Sequence, residues 1–351
     1  MSISVDQVLA AADEHNASDV FLQEGELPRL KINEQIMIFG EEPMSLAQLT
    51  GLWQLCGGDL VGDLDKDTGL ISASGTRFRV NLHKSMGRLG AVMRRIRTYI
   101  PPLETLGAPA ELLTKWAQRP YGIILVTGPT GTGKSTTLAA LLQWLNDNHP
   151  RHVVTIEDPV EYIFANNQCL FTQREVGRDT DTFARGLRGA MRQAPDVIFV
   201  GEVRDYDTAL TLLQASETGH LVLASLHSER VSDTMERFLN LFPPDQLNLG
   251  LHLLAHQLIG IVCQKLVQKV DGNLMLLCEH LENGGAVRDW IARRETDRIH
   301  DYLQRGSDPN AKNFLRNIVA AYEEGYIDEP TAIMATGNEA EFKRAARGVK
   351  S

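Results

Sequence analysis

Gly128-Pro129-Thr130-Gly131-Thr132-Gly133-Lys134-Ser135-Thr136 lies between an apolar run, Gly122 to Thr127, and a stretch of helix-forming residues, Thr137 to Leu145. Glycines at 128, 131 and 133 let the main chain close around an anion, so that N–H groups and the helix N-terminus face it. In that setting Lys134 reaches the β- and γ-phosphates and the Ser135 hydroxyl holds Mg²⁺. Residues 128–136 are therefore expected to form a phosphate-binding loop for ATP or GTP.

The 351-residue chain is long enough for two domains. Its composition, 43% hydrophobic and 23% charged, is that of a soluble globular protein. A formal net charge of −10 argues against a nucleic-acid binder, although it leaves room for a local basic patch. One occurs between Arg77 and Arg97, where Arg77, Arg79, Lys84, Arg88, Arg94, Arg95 and Arg97 appear with no acidic residue. Such a run is either a solvated face or a contact for phosphate or an acidic partner. The cysteines at 56, 169, 263 and 278 lack Cys-x-x-Cys spacing and read as free thiols in a reducing cytoplasm. No apolar run approaches the ~18 residues of a membrane span. The start, Met1 to Asp6, lacks the features of a signal peptide. Any membrane role is expected to come through a partner.

Residues 1–100 read as a small mixed domain. Val5, Val8, Leu9 and Ala12 suit one helix face, Leu30 to Phe39 a strand pair around Asn33-Glu34, and Ser45 the cap of a helix carrying Leu46, Leu49, Leu52 and Trp53. Thr76 to Leu82 and Gly90 to Ile96 suggest a hairpin turning near Met86-Gly87-Arg88. A linker is expected over 101–117, where Pro101-Pro102 and Gly107 resist regular structure. An ATPase core follows over 118–280, with apolar strands at Ile123 to Thr127, Val153 to Ile156, Val197 to Val200 and Leu221 to Ala224. Short apolar strands separated by helices predict a parallel sheet covered on both faces, hence an α/β fold. Beyond about Leu241 the chain is expected to be mostly helical, and 281–351 a helical region in which Val287, Trp290, Ile291, Ile299, Tyr302 and Leu303 make one apolar stripe.

Three further stretches carry chemistry. Ala194 to Asp205 places an apolar strand before Glu202, which can hold Mg²⁺ through water or orient an attacking water. Thr155-Ile156-Glu157-Asp158-Pro159-Val160-Glu161-Tyr162 supplies three carboxylates within five residues after another strand, suited to a metal-and-water environment or to a solvated loop. Thr218 to His227 brackets a buried strand with His220 and His227, which can donate to a γ-phosphate or couple its loss to strand movement.

Taken together in this order, the phosphate loop, the acidic box, the Gly201-Glu202 motif and the two-histidine box resemble the secretion ATPase superfamily that drives type IV pili and type II secretion. The PilT/PilU-type retraction ATPases are the most similar branch. Ala17 to Leu22, Arg77 to Asn81, Gln173 to Gly177 and Leu187 to Asp196 also match family runs. The resemblance implies a PAS-like N-terminal α+β domain followed by a RecA-like P-loop ATPase with a helical C-terminal part. It implies a homohexamer in which the nucleotide meets basic residues of a neighbour, with Arg77, Arg79, Arg94 and Arg95 in the region that supplies them. Lys134 and Ser135 take the phosphate and Mg²⁺ roles, Glu202 the Walker B role, Glu161 that of water-activating base, and His220 and His227 the histidine box.

The implied activity is ATP hydrolysis driving pilus retraction and twitching motility. The alternatives are the motor of a related secretion or conjugation system and a PilU-like accessory ATPase. Implied partners are an inner-membrane pilus platform protein and a paralogous retraction or assembly ATPase, with the protein itself in the cytoplasm and peripheral to the inner membrane. Ala286 to Arg293 stands where the family's retraction signature lies, with its last two positions changed. The short N-terminal region and the absence of a tetracysteine zinc module point away from an assembly motor.

Overall fold

The computed structural model describes residues 4–32, 35–96, 99–306 and 308–348. Asn33, Glu34 and Arg97, which figured in the expected strand pair and basic run, lie outside the described residues. Two compact units are formed, one from Met1–Thr98 with Glu161–Ile163, the other from Tyr99–Val160 with Phe164–Ser351.

The first unit is α+β. Ser4 opens helix α1 (Val5–Glu14) with a capping box closed by Gln7, and Ser45 opens α2 (Leu46–Leu55) in the same way with Gln48. Around them run β1 (Asp19–Gln23), β2 (Arg29–Ile32), β3 (Gln35–Ile38), β4 (Asp65–Ile71), β5 (Arg77–Ser85) and β6 (Arg88–Arg95). They form an antiparallel sheet in the order β3-β2-β1-β6-β5-β4. The β5–β6 hairpin turns through Met86 and Gly87, both at positive φ (53° and 77°), as a tight twisted hairpin requires. Strand alternation sends Phe78, Val80 and Leu82 into the core with Trp53 and Met93, and turns Arg77 and Arg79 outward. Leu46, expected on the buried face of α2, is instead exposed.

In the second unit, α3 (Ala110–Ala117) precedes β7 (Gly122–Thr127), α4 (Lys134–Asn148), β8 (His152–Glu157), β9 (Leu170–Glu175) and α5 (Phe183–Ala190). There follow β10 (Val197–Val200), α6 (Tyr206–Glu217), β11 (Leu221–Leu226), α7 (Val231–Leu239), α8 (Leu247–Gln257), β12 (Leu258–Gln268) and β13 (Leu274–Glu282). The remainder is α9 (Ala286–Ala292), α10 (Thr296–Arg305), β14 (Ala311–Lys312), α11 (Phe314–Glu323), α12 (Glu329–Thr336) and α13 (Glu339–Ala346). The sheet order is β14-β13-β12-β7-β11-β10-β8-β9, parallel from β12 to β9 and antiparallel beyond β12. Strands β7, β10 and β11 are buried at every position, so both faces of the sheet are covered.

Two expectations change. The chain after Leu241 is not simply helical, because β12 and β13 form a long hairpin. Leu258 to Cys263 is buried on both sides and follows α8 directly, so its apolar run has no period that separates strand from buried helix. The expected linker is largely folded: Leu113, Trp116 and Ala117 of α3 are fully buried. The apolar stripe beyond β13 is shared between two helices, with Val287 and Ile291 on α9 and Ile299 and Leu303 on α10, all in the core. All four cysteines are free and buried, and burial pushes the Cys278 thiol up to about 12. No helix among the described residues is long and apolar enough to cross a membrane.

Packing of α3 on the sheet depends on Gly260. A Cβ there would lie 2.3 Å from Trp116 Cη2 and 2.8 Å from the Leu281 carbonyl. Gly260→Ala is therefore expected to destabilise the protein by ~1–3 kcal/mol, the usual cost of overpacking. Chemical denaturation checks this, and an unchanged midpoint would show that α3 is not held against β12.

Candidate nucleotide site

Parallel order places the ends of β7, β11, β10 and β8 side by side along one edge, roughly 4.8 Å apart. Open α/β sheets carry their sites at this edge. Register fixes what meets there. Thr127 pairs with Leu226, Ala224 with Val200, and Val200 with Ile156, so Gly128, His227, Glu202 and Asp158 emerge next to one another.

The loop itself is built for an anion. Gly133 at φ 85° is the N-cap of the 15-residue helix α4 and makes no side-chain cap bond, so the positive end of that helix opens onto the loop. Gly128, at φ 148°, is pressed against β12, where a Cβ would come within 2.5 Å of the Gln264 carbonyl. The Thr132 hydroxyl donates to the Pro129 carbonyl at 2.9 Å, and Thr130 and Gly131 are exposed at the tip. Ser135 and Thr136 sit half-buried in the first turn of α4.

Lys134 is buried, and its ammonium donates to the carbonyls of Gly128 (2.9 Å) and Pro129 (3.0 Å) and to His227 Nδ1 (3.4 Å). His227 Nε2 lies 3.2 Å from Glu202 Oε1. Because a lysine ammonium only donates, Nδ1 must accept, and the tautomer protonated on Nε2 then donates to the carboxylate. Glu202 Oε2 accepts from Arg204 at 2.7 Å, and Arg204 also reaches Asp158 at 3.6 Å. A continuous chain thus runs Lys134–His227–Glu202–Arg204–Asp158 in the same order as the strands beneath it. Burial pushes the Glu202 carboxyl up, but Arg204 and His227 more than offset this, holding it below the usual carboxylate range and ionised.

Arg204 was missed as a site residue. Its signal was the spacing Glu202-Val203-Arg204-Asp205: Val203 is tied to Ser225 at 3.0 Å, and Asp205 caps α6 at 2.8 Å, leaving Glu202 and Arg204 together. Glu157 is buried and accepts from the Thr155 hydroxyl at 2.6 Å. Glu161 is exposed and falls among the residues grouped with the first unit, whereas the Lys134–Glu202 chain belongs entirely to the second.

His220 stands apart from this chain. It precedes β11 and contacts the Ala215 carbonyl at 2.9 Å and the Thr218 hydroxyl at 3.2 Å. His227 follows the same strand, so the two rings lie at opposite edges, about 20 Å apart. His220 therefore does not join His227 in this site. The basic run also changes character, because acidic neighbours absent from its own segment arrive from other elements. Arg94 meets Asp19 at 2.8 Å, Arg95 meets Asp13 at 3.4 Å, and Arg79 meets Asp67 at 3.5 Å. Arg94 nonetheless keeps 70% of its side chain exposed, and Arg77 makes no ion pair among the described residues.

A phosphate loop, a buried lysine and an ionised strand-end glutamate joined through one imidazole define a P-loop nucleotide hydrolase. Comparison with known proteins narrows the class. Residues 70–347 match the family described as type II/IV secretion system protein. The type IV pilus ATPase PilU of Pseudomonas aeruginosa is 36% identical over 334 residues, 93% of this chain and 87% of PilU. PilT, the type IV pilus retraction ATPase of the same organism, is 34% identical over 339 residues, 94% of this chain and 97% of PilT. A crystal structure of the pilus retraction motor PilT with bound ADP superposes with a TM-score of 0.90 at 33% identity, covering 98% of this chain and 100% of that one. The chain belongs to the type II/IV secretion system protein family. It is an ATP hydrolase, with the N-terminal domain and RecA-like ATPase domain of that family.

Lys134→Ala is expected to abolish ATP turnover while leaving the fold intact, because the ammonium is held by loop carbonyls and not by the core. Turnover assayed beside a circular dichroism melt checks this, and wild-type turnover would remove Lys134 from the site.

Proposed function

We propose that this protein works as a homohexameric motor in which ATP hydrolysis drives retraction of type IV pili, and so twitching motility. The observation that carries the reading is similarity over nearly the whole chain, in sequence and fold, to a retraction ATPase. In this reading residues 128–136 hold the β- and γ-phosphates, Lys134 exchanging its carbonyl partners for phosphate oxygens. Ser135 and Glu202 would hold Mg²⁺; a hydroxyl and an ionised carboxylate are the hard oxygen donors this ion takes. Mg²⁺ held there would supply positive charge to offset that of the phosphates. His227 keeps Glu202 and Lys134 in mutual reach, and Glu161 takes the proton of the attacking water.

The first unit supplies cations to a neighbour's nucleotide, with Arg77 and Arg94, whose side chain is paired with Asp19 but largely exposed, better placed for this than the less exposed Arg79 and Arg95. The motor acts in the cytoplasm and reaches the inner membrane through a pilus platform protein, together with a paralogous ATPase in the same machine. A PilU-like accessory role is the second reading, favoured by identity to PilU (36%) that matches identity to PilT (34%).

If Glu161 is the base, Glu161→Gln lowers kcat by roughly 10²–10⁴ while ATP still binds. Full turnover in that variant would move the base elsewhere, with Glu157 the next carboxylate to test. For the function itself, a clean deletion is expected to leave cells with abundant surface pili that fail to twitch, because assembly continues without removal. Bald cells would instead assign the protein to assembly, and normal pili with blocked protein export would assign it to secretion.

A further inference from the structure

Beneath the phosphate loop and the His227 loop lies a set of polar groups that the chemistry above does not use. Thr127, the last residue of β7, immediately precedes Gly128 and is fully buried. Ser228 immediately follows His227 and is 9% exposed. Thr234, fully buried in α7, sits between them: its hydroxyl is 2.5 Å from that of Ser228 and 3.1 Å from that of Thr127. Thr127 Oγ1 in turn lies 2.7 Å from the Sγ of Cys263 on β12.

A single proton assignment satisfies every member. Thr234 donates to the Arg230 carbonyl at 2.8 Å and accepts from both Ser228 and Thr127, and the Cys263 thiol donates to Thr127. Thr234 then joins the residue that precedes the phosphate loop to the residue that follows His227. Its helix is fixed at the start by β13, where the Glu279 carboxylate accepts from the Val231 N–H at 2.8 Å. Thr234 is fully buried between Met235 and its α7 neighbours of the core, and a valine there has nearly the same shape without the hydroxyl. Packing alone therefore does not account for a hydroxyl there.

We infer that the buried hydroxyl chain Ser228–Thr234–Thr127 holds the His227 loop in register with the phosphate loop, which makes Thr234 a positioning residue for ATP hydrolysis. The inference rests on the reading of His227 as the bridge between Lys134 and Glu202. Without the Thr234 hydroxyl, Ser228 and Thr127 lose their common acceptor and the two loops shift independently. The His227 contacts at 3.4 and 3.2 Å have little slack for such a shift. Sub-ångström misplacement of groups near the reacting atoms reduces turnover more than it reduces ground-state binding.

The test uses the full-length protein and compares His227→Ala, Thr234→Val, Thr234→Ser and Ser228→Ala, with kcat and KM for ATP, binding of a fluorescent ADP analogue and a denaturation midpoint for each. Expected are loss of turnover in His227→Ala and a roughly tenfold fall in kcat in Thr234→Val at unchanged KM and analogue affinity. Thr234→Ser should recover to within about threefold of wild type, and Ser228→Ala should fall in the same direction by less. Wild-type kcat in Thr234→Val beside an inactive His227→Ala overturns the inference and leaves the role of His227 standing. Equal losses in the valine and serine variants, or a rise in KM matching the fall in kcat, overturn it as well. Full turnover in His227→Ala overturns the bridging role and the inference with it. If Thr234→Val does not fold, Ser228→Ala decides, and its wild-type kcat refutes the proposal.

Discussion

The contact between His227 and its two neighbours, Lys134 and Glu202, is the constraint on which the site depends, and it is set by strand order before any side chain is considered. β11 lies between β7 and β10, so the residue leaving β11 must stand between the phosphate loop and the glutamate loop. An imidazole suits that place because its two nitrogens point in opposite directions and one tautomer both accepts from an ammonium and donates to a carboxylate. With β8 and β10 exchanged, the same motifs in the sequence would separate Lys134 from Glu202 by the width of one more strand.

The same arrangement answers the electrostatic cost of the site. Lys134 and Glu202 are largely withdrawn from solvent, at 8% residue and 17% side-chain exposure, and an unpaired buried charge is strongly unfavourable. Each has found local partners: loop carbonyls for the ammonium, Arg204 and His227 for the carboxylate. Those partners hold the groups ready and are weaker than a polyphosphate would be for the lysine, since bonds between two charged groups are the stronger kind. Binding of nucleotide thus exchanges one satisfied arrangement for another.

Much of this was legible in the sequence because the signals were local. The phosphate loop carried its own strand and helix, Ser45 marked the start of α2, and Met86-Gly87 marked a hairpin. What was hidden depends on partners distant in the chain. The basic run looked uncompensated because Asp13, Asp19 and Asp67 come from α1, β1 and β4. β12 was unreadable because burial on both faces removes the alternation that marks a strand. The histidines are a different case: two residues bracketing one strand must lie at its opposite ends, so the separation of His220 from His227 followed from the strand assignment itself. Arg204 needed only the Asp205 cap to be taken seriously as the end of the Glu202 loop.

The role of the Lys134–His227–Glu202 chain is tested most directly by a crystal structure of the protein with Mg²⁺ and a non-hydrolysable ATP analogue. In it the Lys134 ammonium is expected to leave the Gly128 and Pro129 carbonyls for the β- and γ-phosphates, the Ser135 hydroxyl to ligate Mg²⁺, and Glu202 to remain bonded to His227 beside it. Nucleotide bound elsewhere, or phosphates on the loop with Lys134 still on its carbonyls and Glu202 turned away from the metal, would contradict that role.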